Sequence, residues 1–149
     1  VEFLRGDGYT FVPNVAIASR GPVLSVTLFS RVPWAEIRSV ALDEGSRTSA
    51  ALTKILLRTK HGLDPRFEQL PIDAPAEAAK TDAVLLIGDR AMRACLPGHR
   101  YAFDLGEEWT AWTGLPMVYA VWAARGGVEP GTTGRALHRS REDGRSRGG

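Results

Sequence analysis

One stretch decides the fold: residues 40–49, Val40-Ala41-Leu42-Asp43-Glu44-Gly45-Ser46-Arg47-Thr48-Ser49, where the pattern changes from strand to helix. Apolar residues 40–42 predict a short strand. A stripe at the helical i, i+3, i+4, i+7 spacing follows it, made of Leu52, Ile55, Leu56 and Thr59. Ser46 is the predicted N-cap, because its side-chain oxygen can accept from a backbone N–H of the first turn, and Gly62 predicts the end of the helix. The chain thus passes from a strand into an amphipathic helix across a tight turn.

The rest of the chain alternates between strand and helix in the same way. Strands are predicted at residues 9–13, 23–29, 66–70, 83–87, 101–103 and 115–124, and further helices at 90–95 and 106–112. The continuous apolarity of residues 83–87 is typical of a strand that is covered on both faces, which favours a parallel sheet flanked by helices. The predicted fold class is therefore α/β.

Composition and residue spacing exclude several classes of protein. The 149 residues, 44% of them hydrophobic, suffice for one substantial core. The 19 Lys and Arg residues nearly balance the 17 Asp and Glu residues. The sequence therefore predicts no broad basic face and no nucleic-acid partner. No apolar run approaches the ~18 residues of a membrane span. A single cysteine, Cys95, predicts no disulfide and a cytoplasmic protein, and the three histidines match no metal-binding spacing.

Ligands of open α/β sheets bind beyond the carboxyl ends of the strands, and the first such place here is the start of the helix after residue 45. Backbone N–H groups, the helix dipole and the hydroxyls of Ser46, Thr48 and Ser49 would together favour an anion there, and Arg47 would add a positive charge. The alternative is that Ser46 only caps the helix. Both interpretations remain open on the residues alone.

The second candidate place is Gly88-Asp89, directly after the apolar strand. Asp89 is placed to orient a substrate hydroxyl or to act as an acid or base, and it is equally suited to cap a helix that starts at Arg90. The hydroxyls of Ser25 and Thr27 alternate with apolar neighbours, so they face either a polar cleft or the solvent.

Several runs of residues, in this order and spacing, resemble those of the chorismate dehydratases, which catalyse the first step of the futalosine route to menaquinone. They are Gly-Pro-Val-Leu-Ser-Val at 21–26, residues 42–49, Leu-Ile-Gly-Asp at 86–89, Asp-Leu-Gly-Glu-Glu-Trp at 104–109 and Thr-Gly-Leu-Pro at 113–116. The resemblance covers residues 1 to about 125. It implies the two-lobed fold of type II periplasmic binding proteins, used by a cytoplasmic enzyme that needs no cofactor and no metal.

The resemblance also implies an organisation of the chain. Residues 1–30 would be the end of the first lobe and, at 24–30, the first strand that crosses between lobes. Residues 31–116 would form the second lobe, 117–125 the returning strand, and 126–149 a truncated or disordered tail. The family has a further active-site segment before the position of Val1 and further helices at its carboxyl end, so an incomplete chain is expected.

The implied reaction is that of a carbon–oxygen lyase, which dehydrates chorismate to 3-[(1-carboxyvinyl)oxy]benzoate by proton abstraction followed by loss of the hydroxyl. Ser25, Thr48 and Ser49 would bind the substrate carboxylates, and Gly88 and Asp89 would line the cleft. The predicted substrate-binding set is Ser25, Ser46, Arg47, Thr48, Ser49, Gly88 and Asp89. Asp89 is the catalytic candidate within the chain, and other catalytic groups are expected before Val1.

Two alternatives share the same fold. One is a module that binds a small carboxylate solute, and the other is the sister naphthoate synthase of the same pathway. The Ser-Arg-Thr-Ser run at 46–49 and the run at 104–109 favour the dehydratase.

Overall fold

The computed structural model describes residues 6, 8–125 and 131–146. Its strands are β1 (Tyr9–Ser19), β2 (Val26–Ser30), β3 (Ser39–Asp43), β4 (Arg66–Leu70), β5 (Ala83–Ile87), β6 (Tyr101–Asp104) and β7 (Met117–Arg125). Its α-helices are α1 (Arg47–Ile55), α2 (Gly88–Met92), α3 (Leu105–Thr113) and α4 (Gly131–Ser146). A π-helical segment, Leu56–Lys60, continues α1, and short 3-10 turns lie at Trp34–Glu36 and Ala76–Ala78. In the described ranges, no helix is both long and apolar enough to cross a membrane.

The chain divides into two compact units, one of residues 19–117 and one of the residues before and after them. The unit of residues 19–117 contains a five-stranded sheet with the order β4-β3-β5-β2-β6. The other unit contains α4 and most of a two-stranded sheet of β1 and β7. The predicted α/β class is therefore confirmed.

The five-stranded sheet is mixed, so the prediction of a parallel sheet is wrong. Strand β3 is parallel to β4 and β5, whereas β2 is antiparallel to both β5 and β6. The apolar run of β5 does report a central strand, because Ala83, Val84, Leu85 and Leu86 are all buried. Burial on two faces says nothing about the direction of the neighbouring strands. The carboxyl ends of β3, β4, β5 and β6 and the start of β2 consequently lie on one edge, called the carboxyl edge below.

Helix α1 covers this sheet with a face that differs slightly from the predicted one. Ser49, Leu52, Thr53, Leu56 and Leu57 are buried, whereas Ile55 and Thr59 of the predicted stripe are exposed. The buried positions still follow helical spacing, but small polar residues, Ser49 and Thr53, fill two of them. A prediction from the apolar residues alone therefore misplaces the buried face of the helix.

The predicted lobes can be compared with the two compact units. The returning strand was predicted from residue 117, next to the unit boundary at Met117, whereas residues 24–30, expected to cross between lobes, contain β2, which lies in the sheet of residues 19–117. In the predicted truncated or disordered tail, residues 131–146 form α4 and include good helix formers such as Arg135, Ala136 and Leu137. Residues 126–130 and 147–149 of that tail lie outside the described residues, as do residues 1–5 and 7. The division into lobes stays a prediction.

Candidate functional site

Three of the predicted site loops meet at the carboxyl edge. Because β2 is antiparallel to β5, Ser25 just before β2 lies beside Gly88 just after β5, and the Gly88 N–H donates to the Ser25 carbonyl at 2.7 Å. The turn before α1 adjoins the same place, since a Cβ added to Gly45 would lie 3.4 Å from Cδ1 of Ile87. The mixed sheet thus brings Ser25, Ser46 and Gly88 to one edge, as an open α/β ligand site requires.

The start of α1 is built around a pair of serine hydroxyls. Ser46 is the N-cap, as predicted, and its Oγ accepts from the Ser49 N–H at 3.1 Å. The Ser46 hydroxyl also donates to Ser49 Oγ at 2.9 Å, and Ser49 is only 2% exposed. Two hydroxyls hold two protons and this contact uses one of them, so the proton of the Ser49 hydroxyl is not used in it.

Arg47 and Thr48 lie beside this pair in the first turn. Arg47 is exposed and lines a cavity of about 360 Å³ together with Ser46 and Lys54, whereas Thr48 is half-buried. First-turn N–H groups have no acceptor within the helix. The cap is confirmed by these contacts, and the anion site remains a prediction.

Asp89 is available at the same edge but does not cap a helix. Helix α2 begins at Gly88, so Asp89 lies within its first turn. The predicted helix at 90–95 therefore starts two residues earlier and ends at Met92. The Asp89 carboxylate is 73% exposed, 3.4 Å from the guanidinium of Arg93, which is itself 82% exposed. Asp89 also lines a cavity of about 370 Å³ with Glu77 and Cys95.

The two hydroxyls of the β2 segment have different environments. Ser25 is half-buried and precedes the strand, whereas Thr27 is buried within it between β5 and β6. Solvent exposure of Thr27 is therefore wrong, and the polar cleft stays a prediction. The flanking residues Val26 and Leu28, whose side chains point to the opposite face, are buried as well, so both faces of β2 are covered here.

An ion pair at the carboxyl edge was missed from the sequence. Asp43, at the end of β3, has a side chain that is 1% exposed, and its Oδ2 lies 3.0 Å from Nη1 of Arg90. Its Oδ1 accepts from the Gly45 N–H at 2.9 Å, and Arg90 donates a second bond to the Ala74 carbonyl at 2.8 Å. The pair connects the turn before Ser46 to α2. The sequence contained one indication of this ion pair. Both residues follow predicted strands, and the carboxyl ends of these strands share one edge of the sheet.

Asp104 was quoted only as part of a resembling run, but it has a defined structural role. It is the N-cap of α3, and Oδ1 accepts from the N–H groups of Gly106 at 2.9 Å and Glu107 at 3.0 Å. It also accepts from the N–H groups of Val23 and Leu24, at 3.0 Å and 2.6 Å. The same carboxylate therefore holds both a helix start and the loop before Ser25.

Two histidines of residues 19–117 have altered proton affinity. Burial lowers the pKa of His61, and Lys60 lowers this pKa further, while Glu108 opposes them. Burial and Arg31 lower the pKa of His99 against the opposing effect of Glu77 and a backbone contact with Leu96. Across the described parts of the chain, no three His, Cys, Asp or Glu side chains lie together as a metal site would require.

Comparison with known proteins adds to this geometry. A family described as menaquinone biosynthesis matches residues 1–148. A chorismate dehydratase of Thermus thermophilus is 35% identical, over 95% of this chain and 58% of that protein. The chain thus spans less than two thirds of the length of this curated relative.

A crystal structure of an Archaeoglobus fulgidus protein has the same fold. It matches with a TM-score of 0.60 at 19% identity, over 90% of this chain and 51% of that one.

Proposed function

The chain belongs to the menaquinone biosynthesis family, and from that premise we propose that it serves the dehydration of chorismate. The observation that carries this proposal is the 35% identity, over 95% of the chain, to the Thermus thermophilus protein named chorismate dehydratase. We also propose, as the resemblance implies, that the chain is a carbon–oxygen lyase that acts in the cytoplasm without a cofactor. It also includes the type II periplasmic-binding-protein fold, which the division into two compact units supports.

The chemistry explains which groups the site needs. Chorismate carries one carboxylate on its ring and another on its enolpyruvyl side chain. Its dehydration removes a ring proton and the neighbouring hydroxyl as water, so the two leaving groups form one water molecule and the ring becomes aromatic. The enzyme therefore needs two carboxylate-binding places and a group that accepts the proton.

The start of α1 suits one of these carboxylates. A first-turn N–H, the spare proton of the Ser46–Ser49 pair and the helix dipole all favour a negative charge there. Ser25, which the Gly88 contact places at the same edge, suits the second carboxylate. Asp89 is the proposed proton acceptor within the chain, because its carboxylate is exposed at this edge.

Binding and turnover should be measured separately. We expect isothermal titration calorimetry to detect chorismate binding, with benzoate as the control because it lacks the enolpyruvyl carboxylate. For turnover, the chain is incubated with chorismate, and liquid chromatography with mass detection follows a product lighter by one water. Absence of both binding and product would refute the proposal, whereas binding with no product would show that the chain binds chorismate and that Asp89 does not suffice as a base.

A further inference from the structure

The loop before Ser25 has an unusual backbone. Leu24 has φ +64°, in the left-handed region that residues with a side chain seldom adopt. Its side chain is 70% exposed, so side-chain packing does not hold this conformation. Strained backbone of this kind persists only where the surroundings fix it.

Hydrogen bonds from α3 fix the loop instead. Asp104 Oδ2 accepts from the N–H groups of Leu24, at 2.6 Å, and Val23, at 3.0 Å. Nearly two helical turns further on, Thr110 Oγ1 accepts from the Gly21 N–H at 2.9 Å. The first turns of α3 thus hold the loop at both ends.

Ser25 lies directly between two such anchors. The N–H of the preceding residue, Leu24, is bound to Asp104, and the carbonyl of Ser25 itself accepts from Gly88. We therefore infer that Asp104 is a positioning residue, which fixes the place at which Ser25 contacts a substrate carboxylate. This inference rests on the proposed function, because it assigns to Ser25 a carboxylate of chorismate.

The substitution Asp104→Asn separates this role from helix capping. Asparagine is also a good N-cap, so its carbonyl oxygen can replace Oδ1 and keep the bonds from Gly106 and Glu107. Its amide nitrogen would replace Oδ2, and an N–H group cannot accept from the Leu24 N–H. The Val23 N–H also lies 3.0 Å from Oδ1 and can keep that bond. The variant should therefore lose the Leu24 contact, loosen the loop next to Ser25 and leave α3 intact.

Asp82→Asn is the matched control. Asp82 Oδ2 also accepts from two backbone N–H groups, those of Arg38 at 2.8 Å and Ser39 at 2.9 Å. It precedes β5 and therefore lies at the opposite edge of the sheet from Ser25. Oδ1 of Asp82 takes no part in these bonds, so the asparagine amide oxygen can take the Oδ2 position and keep them. Asp82→Asn therefore controls for the loss of a carboxylate charge at the edge of the sheet away from the proposed site.

Three measurements are compared in the parent and both variants: the thermal midpoint, the Kd for chorismate by calorimetry, and amide hydrogen exchange. We expect a smaller loss of thermal midpoint in Asp82→Asn than in Asp104→Asn, with Kd raised about tenfold in Asp104→Asn and changed by less than about twofold in Asp82→Asn. Exchange should accelerate at residues 23–25 in Asp104→Asn alone, and stay unchanged in α3.

The inference is overturned if both variants weaken chorismate binding equally, or if exchange at residues 23–25 does not respond to Asp104→Asn. Failure of the parent to bind chorismate would instead refute the proposed function. The exchange comparison would then still decide whether Asp104 holds the loop.

Discussion

At the scale of single residues, Ser46 and Ser49 act as one unit. The sequence suggested separate roles, with Ser46 as the cap and Ser49 as a carboxylate ligand. The structure joins the two hydroxyls at 2.9 Å, and Ser46 Oγ also accepts from the Ser49 N–H. A ligand that uses the spare hydroxyl proton therefore touches the cap itself. Binding and helix stability are coupled at this point.

Ser49→Ala tests that coupling. The substitution removes the hydroxyl that Ser46 donates to but keeps the N–H that Ser46 caps, so stability should fall by only about 1 kcal/mol. The Kd for chorismate should rise about tenfold, since the donor at Ser49 is lost and the Ser46 proton that becomes free lies at a different position. Urea unfolding and calorimetry measure the two effects.

Thr53→Val is the control for Ser49→Ala. The Thr53 hydroxyl is fully buried one turn further along α1 and donates to the Ser49 carbonyl at 2.8 Å. Its loss should lower stability by a similar amount, about 1 kcal/mol, without affecting chorismate binding. Equal affinity in Ser49→Ala and the parent would leave Ser49 with a capping role alone.

At the scale of helices and strands, the correct predictions are those that depend only on residues close together in the sequence. The cap at Ser46 and the strand β3 follow from residues within a few positions of each other, so their pattern is visible in the chain. The start of β2 at Val26 is set instead by Asp104, which binds Leu24 from 80 residues away. No pattern of neighbouring residues indicates such a contact, and for this reason β2 was predicted to begin too early.

The contact between Asp43 and Arg90 is equally distant in sequence and gives a prediction at this scale. Arg90→Met should keep the apolar stem of the side chain but leave the Asp43 carboxylate buried without its cation. Loss of one partner of a buried pair costs about 3 kcal/mol, so the urea midpoint should drop markedly.

Arg93→Met, at the C-cap of the same helix, is the comparison. Its ion pair with Asp89 is mostly exposed and should contribute about 0.5 kcal/mol or less. If both variants lost the same stability, the contact between Asp43 and Arg90 would have no special structural role.

At the scale of the whole chain, burial differs between the two compact units. The unit of residues 19–117 contains most of the buried apolar side chains, including Leu28, Leu56, Leu85 and Leu105. The other unit exposes large apolar side chains on both of its strands: Tyr9, Phe11, Ile17, Val118 and Trp122. Because apolar burial dominates folding stability, unfolding should chiefly report on residues 19–117.

Both histidines with a lowered pKa belong to that unit, and this sets the direction of its pH dependence. The His61 ring stacks on Trp34 with centroids 4.3 Å apart, and Lys60 lies beside it in sequence. Burial and Arg31 act similarly on the pKa of His99. The folded state therefore binds fewer protons than the unfolded state, whose histidines titrate near pH 6.5.

Stability should consequently be complete above about pH 6.5 and fall as the pH drops through the lower folded pKa values. Urea unfolding between about pH 7.5 and about pH 5 measures this in the parent, in His61→Gln and in His99→Gln. Each variant should lose less stability on acidification than the parent does, because one proton-linked group is gone. A parent that gains stability towards pH 5 would show that Glu108 and Glu77, which favour the charged rings, outweigh burial.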